Sequence, residues 1–200
     1  MNKVQKLLLS IFLPLTVVFI ALDNFFPGAA FVNYIKFVTI ITLFLISLRI
    51  SRKHPEQRLL TAAMFFVMAG DFFLVFCKTY FDSVKFLPLG VLSFSAAYLL
   101  VILAFQKNFR ISSFDAVAAL PILVLTIPVV INLFPFLSGF IKYGLLLFII
   151  LLCYCSWTCI CTVNRGYFTP KSSRRIALAG VLMLICDLCI HILARPSSRG

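Results

Sequence analysis

Acidic side chains are scarce in this sequence: six Asp and Glu in 200 residues, against eighteen Lys and Arg. Charged residues make up only 12% of the chain, 62% is hydrophobic, and the mean hydropathy is +1.10. A chain this apolar is not a soluble domain. Several familiar signatures are missing too. There is no glycine-rich phosphate loop ending in Lys-Ser/Thr, no HExxH zinc pair, no GxSxG nucleophile elbow and no dinucleotide fingerprint. A disulfide framework is also excluded, because all seven cysteines lie within apolar runs. Four of them, Cys153, Cys155, Cys159 and Cys161, share one segment as two C-x-C pairs. No His or acid accompanies them there, and buried Cys behaves as a small hydrophobe, so no metal site is assigned. The net charge of +12 would suit a nucleic-acid partner. Its distribution argues against one, since the cations sit in short loops between apolar runs, where they encode membrane topology.

What is present is a series of apolar runs of about 20 residues, the length that crosses a bilayer. They cover about residues 6–25, 30–49, 58–77, 86–106, 115–134, 140–162 and 175–194. The expected fold is therefore all-α: a polytopic transmembrane bundle of about seven helices, one domain over residues 1–194, with a polar tail over 195–200. Lys3 and Lys6 before the first run resemble a signal peptide, but no small-x-small cleavage site ends the run, and a retained helix is the better reading. Pro121 and Pro128 predict kinks in the fifth run. Trp157 and the Phe-rich surfaces read as lipid contacts.

The loop cations sort by side. Lys3, Lys6, Arg49, Arg52, Lys53, Arg58, Lys107, Arg110, Arg165, Lys171, Arg174 and Arg175 fall on one side, twelve in all, against Lys78, Lys85, Lys142, Arg195 and Arg199 on the other. The positive-inside rule then places the N-terminus in the cytoplasm. The third and seventh runs both point outward. Asp71 follows Arg58 by 13 residues and Asp187 follows Arg175 by 12, which puts both about 18–20 Å from the inner surface. Lys36 lies about six residues from the outer end of the inward-running second segment, at nearly the same level.

An intramembrane acid is costly, by roughly 2.5–3.5 kcal/mol on insertion scales, and such residues usually face a bundle interior or a watery cavity. One reading of the layer is a structural ion pair between Lys36 and either acid. The other is a polar cavity open toward the outer leaflet, because two acids and one lysine leave a carboxyl over. Tyr34, Ser93, Ser95 and Tyr98 are candidates to line it. His191, one turn after Asp187, shares its helix face.

Phe66 to Leu74 (FVMAGDFFL) resembles the S-x-x-G-D-x-x-L signature of the YhhN-like lysoplasmalogenase family. Gly90 to Tyr98 (GVLSFSAAY) is similar to that family's fourth-helix pattern of Gly, then Phe, then Ala-His. Ala179 to Asp187 (AGVLMLICD) is similar to its G-A-x-x-F-x-x-S-D helix, and Tyr34-Ile35-Lys36 resembles its K-P entry. Three positions depart: Tyr98 replaces His, Phe37 replaces the Pro after Lys36, and Cys186 replaces Ser. A phenol is a far weaker acid or base near pH 7 than an imidazole. The family typically has eight helices, so the resemblance implies an eighth beyond this sequence.

The resemblance implies hydrolysis of the vinyl ether bond of lysoplasmalogens to a fatty aldehyde and a glycerophospho-base, without metal or organic cofactor. Asp71 and Asp187 would be catalytic, dividing proton donation and cation stabilisation. Lys36, Tyr34, Ser95 and Tyr98 would bind the lipid substrate within the bilayer. Bacterial and eukaryotic members share these motifs, and the chain length favours a bacterial inner membrane. The rival readings are a small proton-coupled transporter or lipid-binding membrane protein using the same acids, and an inactive family member.

Overall fold

The computed structural model describes residues 10–12, 14–18, 21–22, 25–26, 29–50, 54–77, 86–136 and 139–193. Six long helices follow one another: α1 (Ala30–Arg49), α2 (Pro55–Asp71), α3 (Leu87–Phe105), α4 (Ser113–Leu133), α5 (Gly139–Arg165) and α6 (Pro170–Leu193). Residues 10–12 and 14–18, within the first apolar run, are also helical. No strand occurs among the described residues. Among the described residues, five helices are long and apolar enough to span a membrane: α1, α2, α3, α4 and α5. The described part of α6 carries Lys171, Arg174 and Arg175 at its start and Asp187 near its end. The chain is thus a multi-pass integral membrane protein with an all-helical bundle.

The helix ends follow local chemistry more than hydropathy. α2 begins three residues before its apolar run, because Pro55 fits the first helical position, where no N–H is needed. The His54 N–H there donates to the Gln57 side chain at 3.3 Å. α4 starts with a reciprocal cap: Asp115 accepts from the Ser112 N–H at 2.9 Å, and Ser112 Oγ accepts from the Asp115 N–H at 3.3 Å. The helix runs on through Pro121 and Pro128 as one element. α5 outlasts its apolar run by three residues, to Arg165, and stops where Gly166 turns to φ +66°, a conformation that suits glycine. α6 again opens on a proline, five residues before its apolar run.

α5 is the centre of the bundle. Half of its most apolar window is buried, against 6% for α1 at the periphery. α3, α4 and α6 all pack on α5, α2 packs on α3, and α1 packs on α2. The core joins Tyr98 and Ile102 of α3, Ile122 of α4, Leu152, Cys155 and Cys159 of α5, and Leu184 and Leu188 of α6. Many large apolar side chains are exposed around it, including Leu103, Val124, Ile131 and Leu182, as a lipid-facing surface requires.

Three close approaches set the helix spacing. A Cβ on Gly70 would lie 2.6 Å from the Phe94 ring, and one on Gly90 would run into the Leu74 side chain, so α3 interlocks both with α2 and with its continuation past Asp71. A Cβ on Gly180 would lie 2.5 Å from Cys159 Cβ and 3.3 Å from the Ser156 carbonyl, so α6 lies directly on α5. Small residues at such crossings let membrane helices approach closely, where packing rather than hydrophobicity drives association.

One face of the bundle is tied by polar contacts that the sequence reading did not anticipate. Glu56, at the start of α2, accepts from the Tyr167 hydroxyl at 2.9 Å and has Lys107 Nζ 3.7 Å away. This donation holds the Tyr167 phenol above its usual pKa. Asp115, at the start of α4, lies 4.0 Å from the Arg165 guanidinium, which sits against the rings of Phe109 and Trp157. The Trp157 N–H donates to the Asp115 carbonyl at 2.7 Å. Trp157, half-buried, thus ties the end of α5 to the start of α4. These contacts bring the starts of α2 and α4, the ends of α3 and α5, and the turn before α6 to one face. Direction therefore alternates from α2 to α6, as the loop charges require, and Lys107 and Arg165 mark the cation-rich side.

Candidate functional site

Asp71 and Asp187 sit on helices that start from the same face. Asp71 is the last residue of α2 and Asp187 lies 17 residues into α6. Directly after Asp71 the helix widens into a π-type turn over Phe72–Cys77. Such turns are rare and recur at functional sites, because the extra residue rotates the side chains that follow.

The two acids belong to one cluster. Both Asp187 and Lys36 are near enough for their charges to act on the Asp71 carboxyl. Asp71 and Asp187 are each half-buried. Lys36 stands at their level: its neighbour Phe37 contacts Phe72, the neighbour of Asp71, with ring centroids 5.9 Å apart. A second pair, Phe44 with Phe65, keeps the antiparallel register of α1 and α2 about two turns further along.

Tyr98 completes the cluster from α3. Its hydroxyl donates to Asp187 Oδ2. The ring is only 4% exposed and packs on Phe148 of α5, with centroids 5.4 Å apart. The helix directions explain how the two side chains meet. Side chains lean toward the N-terminus of their own helix. α3 runs opposite to α6, so Tyr98 leans outward while Asp187 leans inward. Cys155 of α5 is within electrostatic reach of both Asp187 and Tyr98, and Cys186 of α6 is within reach of Tyr98. Five helices therefore contribute to one layer.

The remaining sequence candidates make other contacts. Tyr34 is 45% exposed and lines a groove of about 370 Å³ with Ile11, Phe12 and Leu15. It lies two residues from Lys36, hence about 200° round the helix, and faces away from the carboxyls. Ser95 is buried on α3, and its hydroxyl donates to the Val91 carbonyl at 2.8 Å, within its own helix. Ser93 does the same to Leu89. The His191 side chain and residues 195–200 lie outside the described residues.

Sequence reasoning missed the role of Gly70, Gly90 and Gly180. All three stand inside the quoted motifs, one residue before Asp71, eight before Tyr98 and seven before Asp187. Gly70 and Gly90 let α2, with its continuation past Asp71, and α3 pack closely, and Gly180 lets α6 lie on α5. The signal was an isolated Gly inside an apolar helix, which often has a packing reason.

No curated protein and no solved structure matches the chain. The model of the YhhN family matches residues 31–195, which includes every member of this cluster. On that match the chain belongs to the YhhN family.

Proposed function

We infer that this protein hydrolyses the vinyl ether bond of lysoplasmalogen-type lipids within the membrane. The observation that carries the reading is the pairing of two intramembrane carboxyls, Asp71 and Asp187, in electrostatic reach of each other, with a hydroxyl and an ammonium group in the same cluster.

The chemistry needs these groups. The substrate's enol ether accepts a proton at its β-carbon, the C=C electron pair forming the new C–H bond. The product is an oxocarbenium ion at the α-carbon. Water adds there and returns a proton to the carboxylate that gave one. The resulting hemiacetal breaks its C–O bond to the glycerol, releasing a fatty aldehyde and the glycerophospho-base. One carboxyl must therefore be protonated at the start, and the other must be charged to face the cation. Neighbouring carboxyls in a poorly solvated site meet this demand, because repulsion and desolvation disfavour ionising both. Lys36 can pair with the lipid phosphate or limit the net negative charge of the site.

The test is incubation of the purified protein with a lysoplasmalogen and with the matched ester lysolipid. Aldehyde from the first and none from the second supports the reading. No aldehyde from protein that is folded and monodisperse refutes it.

A further inference from the structure

The two acid-bearing helices are joined through others. α2 is held between α1 and α3, and α6 lies on α5 and, more lightly, on α4. The space between α2 and α6 is bounded on two sides. Behind it, Tyr98 of α3 and Cys155 of α5 are buried, and the Tyr98 hydroxyl reaches Asp187. At the cation-rich face, the Tyr167 hydroxyl donates to Glu56 and joins the turn before α6 to the start of α2. This leaves a slot between α2 and α6 that opens sideways.

Helix geometry gives the walls of the slot. On α6, Gly180, Leu184 and Leu188 are buried on one face, and half-buried Asp187 stands at its edge. Ala179, Met183 and Cys186, spaced by four and three residues, form the next row round the helix. Ala179 and Cys186 are exposed and Met183 is half-buried. On α2, Met64, Val67 and Asp71 form a row at the same kind of spacing, all three half-buried. α2 turns Gly70 to α3 and Phe65 to α1. The Asp71 row lies roughly 100–120° round the helix from both. The wall residues are uncharged, and both walls lead to a carboxyl. Met64 precedes Asp71 by seven residues and Ala179 precedes Asp187 by eight, so the walls extend about 10–12 Å from the carboxyls toward the cation-rich face. Each wall carries a methionine, whose flexible, polarisable side chain adapts to apolar ligands of variable shape.

We propose that this slot seats the hydrocarbon chain of a single-chain lipid, which enters sideways from the bilayer between α2 and α6. The direction of the chain rests on the ether-hydrolase reading. The vinyl ether joins chain to glycerol, so a bond held at Asp71 and Asp187 sends the chain along Met64 and Met183. The glycerophospho-base then lies beyond the carboxyl layer, away from the cation-rich face.

A non-hydrolysable alkyl ether lysolipid with a photoreactive diazirine in its chain reports the seat without turnover. With the full chain in lipid nanodiscs, cross-links mapped by mass spectrometry should fall on Met64, Val67 and Met183, and excess unlabelled alkyl lysolipid should remove them. A diacyl phospholipid carrying the same diazirine should label the lipid-facing Leu103 and Val124 and spare the slot. The proposal is overturned if the lysolipid label in the slot resists competition, or if the diacyl lipid labels the slot equally. Kinetics supply a second reading. Ala179→Phe narrows the slot and should raise KM for a long-chain lysoplasmalogen at least about tenfold, and less for a short-chain one. Ala179→Leu is the milder variant if the phenylalanine prevents folding. Leu178→Phe, one residue earlier and 59% exposed, should leave KM unchanged. Equal effects at positions 178 and 179 would also overturn the proposal. Competed labelling of the slot without aldehyde release refutes the hydrolase reading alone, and aldehyde release with labelling elsewhere refutes the slot alone.

Discussion

Gly180 of α6 rests on Cys159 of α5 so closely that a Cβ at position 180 would lie 2.5 Å from the Cys159 Cβ. A Cβ cannot rotate away as the end of a long side chain can, and the Ser156 carbonyl closes the other side at 3.3 Å. Gly180→Ala should therefore push α6 off α5 and lower stability by about 1–3 kcal/mol, the usual range for overpacking. Thermal unfolding in detergent measures this. Adding Cys159→Gly should recover part of the loss by removing the opposing Cβ, and an additive double variant would show that the contact is not the cause.

The carboxyl pair separates a catalytic role from a structural one. Asp71→Asn and Asp187→Asn keep volume and most hydrogen bonding but supply neither proton nor charge. Each should lower aldehyde release by at least about 100-fold, the lower bound typical of a lost acid or base, with little change in melting temperature. If the cluster is only a structural bridge, both variants should instead lose stability, and Lys36→Met should lose it comparably by leaving a buried charge unpaired.

Stability of the cation-rich face should be independent of turnover. Tyr167→Phe removes one hydrogen bond to Glu56 and should cost about 0.5–1.5 kcal/mol. Asp115→Ala removes the acceptor of the Ser112 cap and the partner of Arg165, and should cost at least the ~1 kcal/mol typical of a lost helix cap. Neither site touches the carboxyl layer, so specific activity of the folded fraction should stay at the wild-type level. A fall in kcat for Tyr167→Phe would link the two faces.

Topology is checked by reporter fusions. The contacts of Lys107 with Glu56 and of Arg165 with Asp115 gather the cation-rich ends on one face. Fusions after Arg110 and Arg175 should both report the cytoplasm, and a fusion after Lys85 should report the opposite side. A cytoplasmic signal at Lys85 would invert the model.

The sequence by itself determined the class and the helix order. Runs of about 20 apolar residues leave the backbone no stable form in lipid other than helix. Alternating helix direction and a constant rise per residue convert chain position into height along the bundle, which is why Asp71, Asp187 and Lys36 were expected at one level. Helix ends were less legible: Pro55 and Pro170 start helices before the apolar runs begin, because capping depends on which backbone groups need partners and not on hydropathy. Only the tertiary structure decided which faces meet. Tyr34 and Lys36 are two residues apart in sequence yet point to different sides of α1, and Tyr98 reaches Asp187 across 89 residues. Helix rotation is set by contacts such as Gly180 on Cys159 and Gly70 on Phe94, which depend on the shapes of both partners at once. The same holds for Glu56 with Tyr167, where each residue alone reads as an ordinary polar group at a helix end.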